Sequence, residues 1–214
     1  SDVYRRQVFV TLLFGQLALD GQFNKVDGVV LLIGLIGYIL FQIRRSKDIN
    51  EKEEFKEVKE GAKIANKSYA YLVLLMTLGC VMLYVGSEAF IDGASSIAKQ
   101  LGVSDLIIGV TVVAFGTSVP EIVASLAAAL KGQEDLSIGN LVGSNIMNIL
   151  LVLGGSSLVG NLTVDPQVME FDFWWMLGTA ALLYPILKIG KKISRFEGSI
   201  YVVCYLTFIY FTLV

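Results

Sequence analysis

A glutamate, two hydroxyl residues and a proline stand together inside an otherwise apolar stretch, Val113-Ala114-Phe115-Gly116-Thr117-Ser118-Val119-Pro120-Glu121. Pro120 has no N–H, so in a helix it removes the bond to the carbonyl of Gly116 and frees a backbone oxygen. Thr117 and Ser118 add hydroxyl oxygens, and positions 114, 117, 118 and 121 share one helical face. Glu121 adds a carboxylate. A charged side chain at the centre of a bilayer costs about 2.5–3.5 kcal/mol on insertion scales, and it is tolerated where it faces a partner or a water-filled cavity. Carboxylate, carbonyl and hydroxyl oxygens together suit a hard cation such as Na⁺ or Ca²⁺; the chain has no His, which argues against zinc or copper. The competing reading is a Pro-kinked helix whose glutamate is protonated and only hydrogen-bonded.

A second polar run follows, Gly139-Asn140-Leu141-Val142-Gly143-Ser144-Asn145-Ile146-Met147-Asn148. Asn140, Ser144 and Asn148 recur every four residues as an amide and hydroxyl stripe, while Gly139 and Gly143 let another backbone approach. Packing alone accounts for the glycines; the asparagines point to oxygen ligands. Glu88 and Asp92, one turn apart, are read as a solvated helix end, as are Asp20 and Asp27. The two cysteines, Cys80 and Cys204, lie in apolar runs and are expected to be buried thiols. Gly61 followed by Asn66-Lys67-Ser68 is a near-miss of a phosphate-binding loop. It lacks the second glycine and a preceding strand, so nucleotide binding is not expected. No catalytic triad or zinc motif marks an enzyme, and no cofactor or nucleic-acid partner is expected.

These residues must be positioned by membrane-spanning helices. The 214 residues are 55% hydrophobic, with 21 Gly and 3 Pro, and the mean hydropathy is +0.68, too apolar for an ordinary soluble domain. Seven apolar segments, at 7–23, 27–43, 70–98, 105–130, 136–160, 172–189 and 196–213, read as transmembrane helices of an all-α polytopic membrane protein, with the lipid bilayer as partner. The first run contains Asp20 and leads straight into another span, which argues against a signal peptide. Alternating the loops puts all but Lys25 and Lys99 of the 17 Lys and Arg on one side. The positive-inside rule makes that side cytoplasmic, with the 44–69 loop inside and the C-terminus outside. That loop interleaves Lys52, Lys56, Lys59, Lys63 and Lys67 with five glutamates at spacings that suit a solvated helix.

The second span enters as Lys25-Val26-Asp27-Gly28 and the seventh as Arg195-Phe196-Glu197-Gly198, an offset of 170 residues. Each follows one apolar helix and a short turn, and by charge counting the two helix pairs run in opposite directions, as in an inverted-topology repeat. On this reading 1–43 holds the last two helices of a first repeat, 44–69 is a charged cytoplasmic loop and 70–214 is a second five-helix repeat. Ser1 is then expected to be an internal start, with roughly a hundred residues of the first repeat preceding it.

The segment Gly109-Val110-Thr111-Val112-Val113-Ala114-Phe115-Gly116-Thr117-Ser118-Val119-Pro120-Glu121, with 139–146 after it, closely resembles the α-repeat of the calcium/cation antiporter superfamily, and the rest of the chain resembles a prokaryotic-type sodium/calcium exchanger. The resemblance implies that these are the last seven helices of a ten-helix, 5+5 inverted-repeat fold in a plasma or bacterial inner membrane, with the α-motif within 105–160. It implies Na⁺/Ca²⁺ exchange by alternating access, and ligands Glu121, Ser118, Thr117 and the carbonyl of Ala114 from one helix, with Ser144 and Asn148 from the next. The missing helices would come from the same protein or a second chain. Family members often carry Asp where the second repeat here has Asn148, and site charge tunes calcium affinity. The alternatives are a cation/proton antiporter, a channel, and a non-transporting fragment or scaffold.

Overall fold

The computed structural model describes residues 2–48, 69–190 and 193–213. Among them are seven helices, α1 (Asp2–Leu17), α2 (Lys25–Asp48), α3 (Tyr69–Gln100), α4 (105–130), α5 (134–159), α6 (168–190) and α7 (Arg195–Leu213), one for each apolar segment. Four stretches among the described residues are long and apolar enough to cross a membrane: Lys25–Arg44, Tyr69–Gln100, Thr111–Leu130 and Glu134–Val159. The regular parts of α1, α6 and α7 have 16, 18 and 19 residues, at or under the roughly 20 that an untilted crossing needs. Most of the charged segment expected to form a cytoplasmic helix, together with the Gly61 to Ser68 run, lies outside the described residues.

The chain forms two compact units, one of Ser1–Leu35 with Glu121–Val214 and one of Ile36–Pro120. In the first, α1 packs on α5 and α6, with Gln7, Val10 and Thr11 buried along it and Ala18 buried in the turn that follows. Gly15 of α1 lies against the ring of Phe173, and Phe14 stacks on that ring and makes a tilted contact with Phe23. The start of α2 crosses α5 at glycines: a Cβ on Gly28 would lie 2.8 Å from the carbonyl oxygen of Gly154, and one on Gly154 would lie 3.0 Å from Cβ of Leu31. Such small-residue crossings bring backbones together where lipid supplies no hydrophobic drive. α7 is held on α6 by a ring cluster of Phe171, Trp175 and Phe208, and by the Tyr201 hydroxyl, which donates to the Thr179 carbonyl at 3.2 Å.

Two short extended segments close this unit. β1 (Gln22–Phe23), between α1 and α2, pairs antiparallel with β2 (Leu162–Thr163), between α5 and α6, in the register Gln22 to Thr163 and Phe23 to Leu162. The Val164 amide extends the ladder by donating to the Gly21 carbonyl at 2.9 Å. Antiparallel pairing of this kind satisfies loop backbone groups that a membrane boundary otherwise leaves to water.

The tetrapeptides at 25–28 and 195–198 turn out to start their helices by the same device. Asn24 Oδ1 accepts from the amides of Val26 and Asp27 while Asp27 accepts from the Asn24 amide at 2.9 Å, a reciprocal capping box. Ser194 and Glu197 repeat it, with the Ser194 amide donating to Glu197 at 2.7 Å and the Glu197 amide to the Ser194 hydroxyl at 3.3 Å. Asp27 is therefore a half-buried capping residue rather than a solvated helix end, and Asp20 accepts from the Gln22 amide in the turn before it.

The second unit contains α3, the start of α4 and the end of α2. At 1.5 Å per residue the 32-residue α3 is about 48 Å long, more than a hydrocarbon core needs. Its large apolar side chains, such as Leu74, Met76 and Met82, are exposed, as suits a lipid-facing helix. The expectation of buried cysteines is corrected here: Cys80 on α3 is exposed, Cys204 on α7 is half-buried, and both are free. Cys80 is surrounded by an apolar span without being covered by protein. Glu88 and Asp92 are exposed.

Candidate ion-binding site

α4 is assembled from three pieces: a first turn at Asp105–Ile108, a wide π-helical turn at Gly109–Val113, and a regular helix from Ala114 to Leu130 that continues through Pro120. The extra residue in a π turn shifts the helical register, and such turns are frequent at functional sites. Here the turn ends at Val113, one residue before the first predicted ligand. α5 has a second π-helical turn at Asn148–Leu153, which begins on the last predicted ligand. Both turns escaped the sequence reading, because nothing in residue type distinguishes them from regular helix.

In the Ile36–Pro120 unit, the Thr117 hydroxyl donates to the carbonyls of Val113 and Ala114 at 3.0 and 3.1 Å, and the Ser118 hydroxyl donates to that of Ala114 at 3.0 Å. Each hydroxyl thus spends its proton on the helix backbone and presents oxygen lone pairs outward. Thr117, Ser118 and Ala114 are exposed. Gly116 is buried: a Cβ there would strike Ile91 of α3, and beside it the rings of Phe90 and Phe115 pack on each other with centroids 5.7 Å apart. The carbonyl of Gly116, deprived of its amide partner by Pro120, does not stay free: the hydroxyl of Ser87 donates to it at 2.5 Å.

In the other unit, Glu121 and Ser144 are half-buried and Asn148 is exposed. Among the described residues no donor reaches the Glu121 carboxylate. The Ser144 hydroxyl donates to the Leu141 carbonyl at 3.0 Å. α4 ends in a tight reversal at Gly132, whose φ of 74° only glycine adopts readily; the amides of Gly132 and Gln133 cap the carbonyls of Ala129 and Ala128. That reversal sets α5 antiparallel to the end of α4, and brings Asn140 to it. The Asn140 amide donates to the Ser125 hydroxyl at 2.9 Å and to the Glu121 carbonyl at 3.3 Å. Asn140, the first member of the sequence stripe, therefore ties the two helices together beside Glu121.

A family model described as "Sodium/calcium exchanger protein" matches residues 71–214. An uncharacterised membrane protein of Methanocaldococcus jannaschii is 34% identical over 94% of the chain, and the sodium/calcium exchanger MaX1 of Methanosarcina acetivorans is 42% identical over 52% of it. The chain spans 64% of the first of these proteins and 32% of the second. Among solved structures, a sodium/calcium exchanger from Methanococcus jannaschii superposes with a TM-score of 0.73 at 30% identity, covering 96% of this chain and 62% of that one.

Proposed function

The chain belongs to the sodium/calcium exchanger family, and from that membership we propose that it carries one half of the ion pathway of an antiporter exchanging Na⁺ for Ca²⁺ by alternating access. It is an integral membrane protein by its helices and its family. The observation that carries the proposal is the oxygen-rich face of Ala114, Thr117, Ser118 and Glu121 on a helix of membrane-crossing length. Glu121 supplies the negative charge, and the hydroxyls of Thr117, Ser118 and Ser144, the Asn148 amide and the Ala114 carbonyl supply neutral oxygens. Neutral oxygens with one carboxylate suit Na⁺ and Ca²⁺ and give a soft metal nothing to hold.

On the same reading 70–214 is one five-helix repeat of a ten-helix protein, and 1–43 is the end of an oppositely oriented one. Helices N-terminal to Ser1, or a second chain, complete the site. The 44–69 loop is cytoplasmic and the C-terminus outside. The matching capping boxes at Asn24 and Ser194 are in keeping with such a repeat, although a capping box starts many unrelated helices.

The test is to reconstitute the full-length protein, with any residues N-terminal to Ser1, in Na⁺-loaded liposomes and follow ⁴⁵Ca²⁺ uptake on dilution into Na⁺-free buffer. Uptake that saturates with Ca²⁺ and requires internal Na⁺ is expected. Uptake indifferent to Na⁺ but driven by a pH gradient would replace this reading with cation/proton exchange. In the same assay Asn148→Asp adds a second carboxylate, and it is expected to lower half-saturating Ca²⁺ by about an order of magnitude, since ligand charge tunes calcium sites over several decades. An unchanged Ca²⁺ dependence would remove position 148 from the ligand set.

A further inference from the structure

Pro120 creates a defect that the fold must repair. Within α4 the carbonyls of Val113 and Ala114 receive the hydroxyls of Thr117 and Ser118. Gly116 would face an amide that does not exist, and it is itself buried. The residue that fills the gap comes from α3. Ser87 is 6% exposed, the sole buried residue among the described positions of that helix, and its hydroxyl lies 2.5 Å from the Gly116 oxygen. The glycine is what makes the contact possible, because any side chain at 116 would run into Ile91 one turn further along α3.

We propose that Ser87 is a positioning residue of the ion site, its hydroxyl standing in for the amide that Pro120 lacks and so fixing the Gly116–Thr117 peptide. The inference rests on the exchanger reading above. The Gly116 carbonyl and the Thr117 amide belong to the same rigid peptide plane. A hydrogen bond that sets the direction of that carbonyl therefore sets where Thr117, and Ser118 after it, place their oxygens. Ser87 itself touches no ion; it acts through the peptide.

The experiment is a double-mutant cycle in the full-length protein, read by thermal unfolding in detergent and by the Ca²⁺ dependence of exchange in liposomes. Ser87→Ala strands a buried acceptor and is expected to lower the Tm by about 2–6 °C. It is expected to raise half-saturating Ca²⁺ by about threefold or more with a smaller change in maximal rate, the signature of misplaced ligands. Ser87→Thr retains the donor and restores both. In a Pro120→Ala background the new amide satisfies Gly116, so Ser87→Ala should then cost markedly less Tm than it does in the wild type. An additive cycle overturns the proposal, and so does a Ser87→Ala variant that loses Tm but keeps the wild-type Ca²⁺ dependence. If the wild type itself shows no Na⁺-driven uptake, the exchanger reading fails on its own. Stabilisation of the same four proteins by Na⁺ and Ca²⁺ then replaces transport as the affinity readout, and the cycle still decides Ser87.

Discussion

Glu121→Gln is expected to abolish Na⁺-driven ⁴⁵Ca²⁺ uptake while leaving the protein folded. Glutamine matches glutamate in shape, so the half-buried position should accept it without repacking. What changes is the charge. On the proposed reading Glu121 supplies the one full negative charge among ligands that are otherwise neutral. Removing one partner of a desolvated charge pair costs about 3–5 kcal/mol, which at about 1.4 kcal/mol per decade is roughly two to three and a half decades in cation affinity. Uptake should fall below detection at micromolar Ca²⁺. Glu121→Asp keeps the charge but shortens its reach, and is expected to fall between wild type and Gln. Retained exchange in Glu121→Gln, with half-saturation within about threefold of wild type, would remove Glu121 from the site; the Asn140 contacts at its backbone would then mark it as a helix-packing position.

The second large effect is expected at the crossing of α2 and α5, through stability. Gly28→Val places a branched side chain where the nearest atom is the carbonyl oxygen of Gly154, with Leu158 and Ser157 at 3.1 Å behind it. A flexible side chain could yield, but a backbone oxygen cannot move without displacing its helix. Overpacking costs about 1–3 kcal/mol, and a contact with backbone belongs at the upper end. The Tm should drop by about 6–12 °C on the usual conversion for a chain of this size. Gly37→Val is the control. No atom lies within 4 Å of a Cβ built there, so the shift should stay within about 2 °C. Equal losses at both glycines would mean that helix propensity, and not the crossing, sets the cost.

Element positions were largely legible in the sequence. The apolar segments at 70–98, 105–130 and 196–213 lie within two residues of α3, α4 and α7, because water-to-lipid transfer forces the backbone to satisfy itself and only helices do so within one segment. α2 runs five residues beyond its predicted end at 43, through Arg44 and Arg45 to Asp48, since polar side chains end a span without ending a helix. The first segment was read to 23, but the helix stops at Leu17; Asp20 and Gly21 turn the chain and Gln22–Phe23 join β2. A two-residue strand has no periodicity to detect. The candidate site was legible in its residue types and not in its supports. Glu121 in an apolar helix announces itself by its cost, whereas Ser87 is one serine in a 32-residue span, and the signal for it was indirect: the orphan carbonyl that Pro120 dictates must find a donor. Asn140 showed the converse limit. Its spacing joined it to Ser144 and Asn148, but the tight reversal at Gly132 turned its amide onto Ser125.

The pairing of β1 with β2 also bears on biosynthesis. Gln22 and Phe23 leave the ribosome long before Leu162 and Thr163 exist, and the helices that bury α1, namely α5 and α6, are made later still than α3 and α4. During translation α1 and the start of α2 therefore wait for the helices that bury Gln7 and Thr11 in this unit, polar groups that lipid solvates poorly. Closing so long a loop adds entropic cost only slowly with its length. Assembly of this unit is thus expected to be a late, post-insertion event in which the strand clasp locks in place helices that were inserted first.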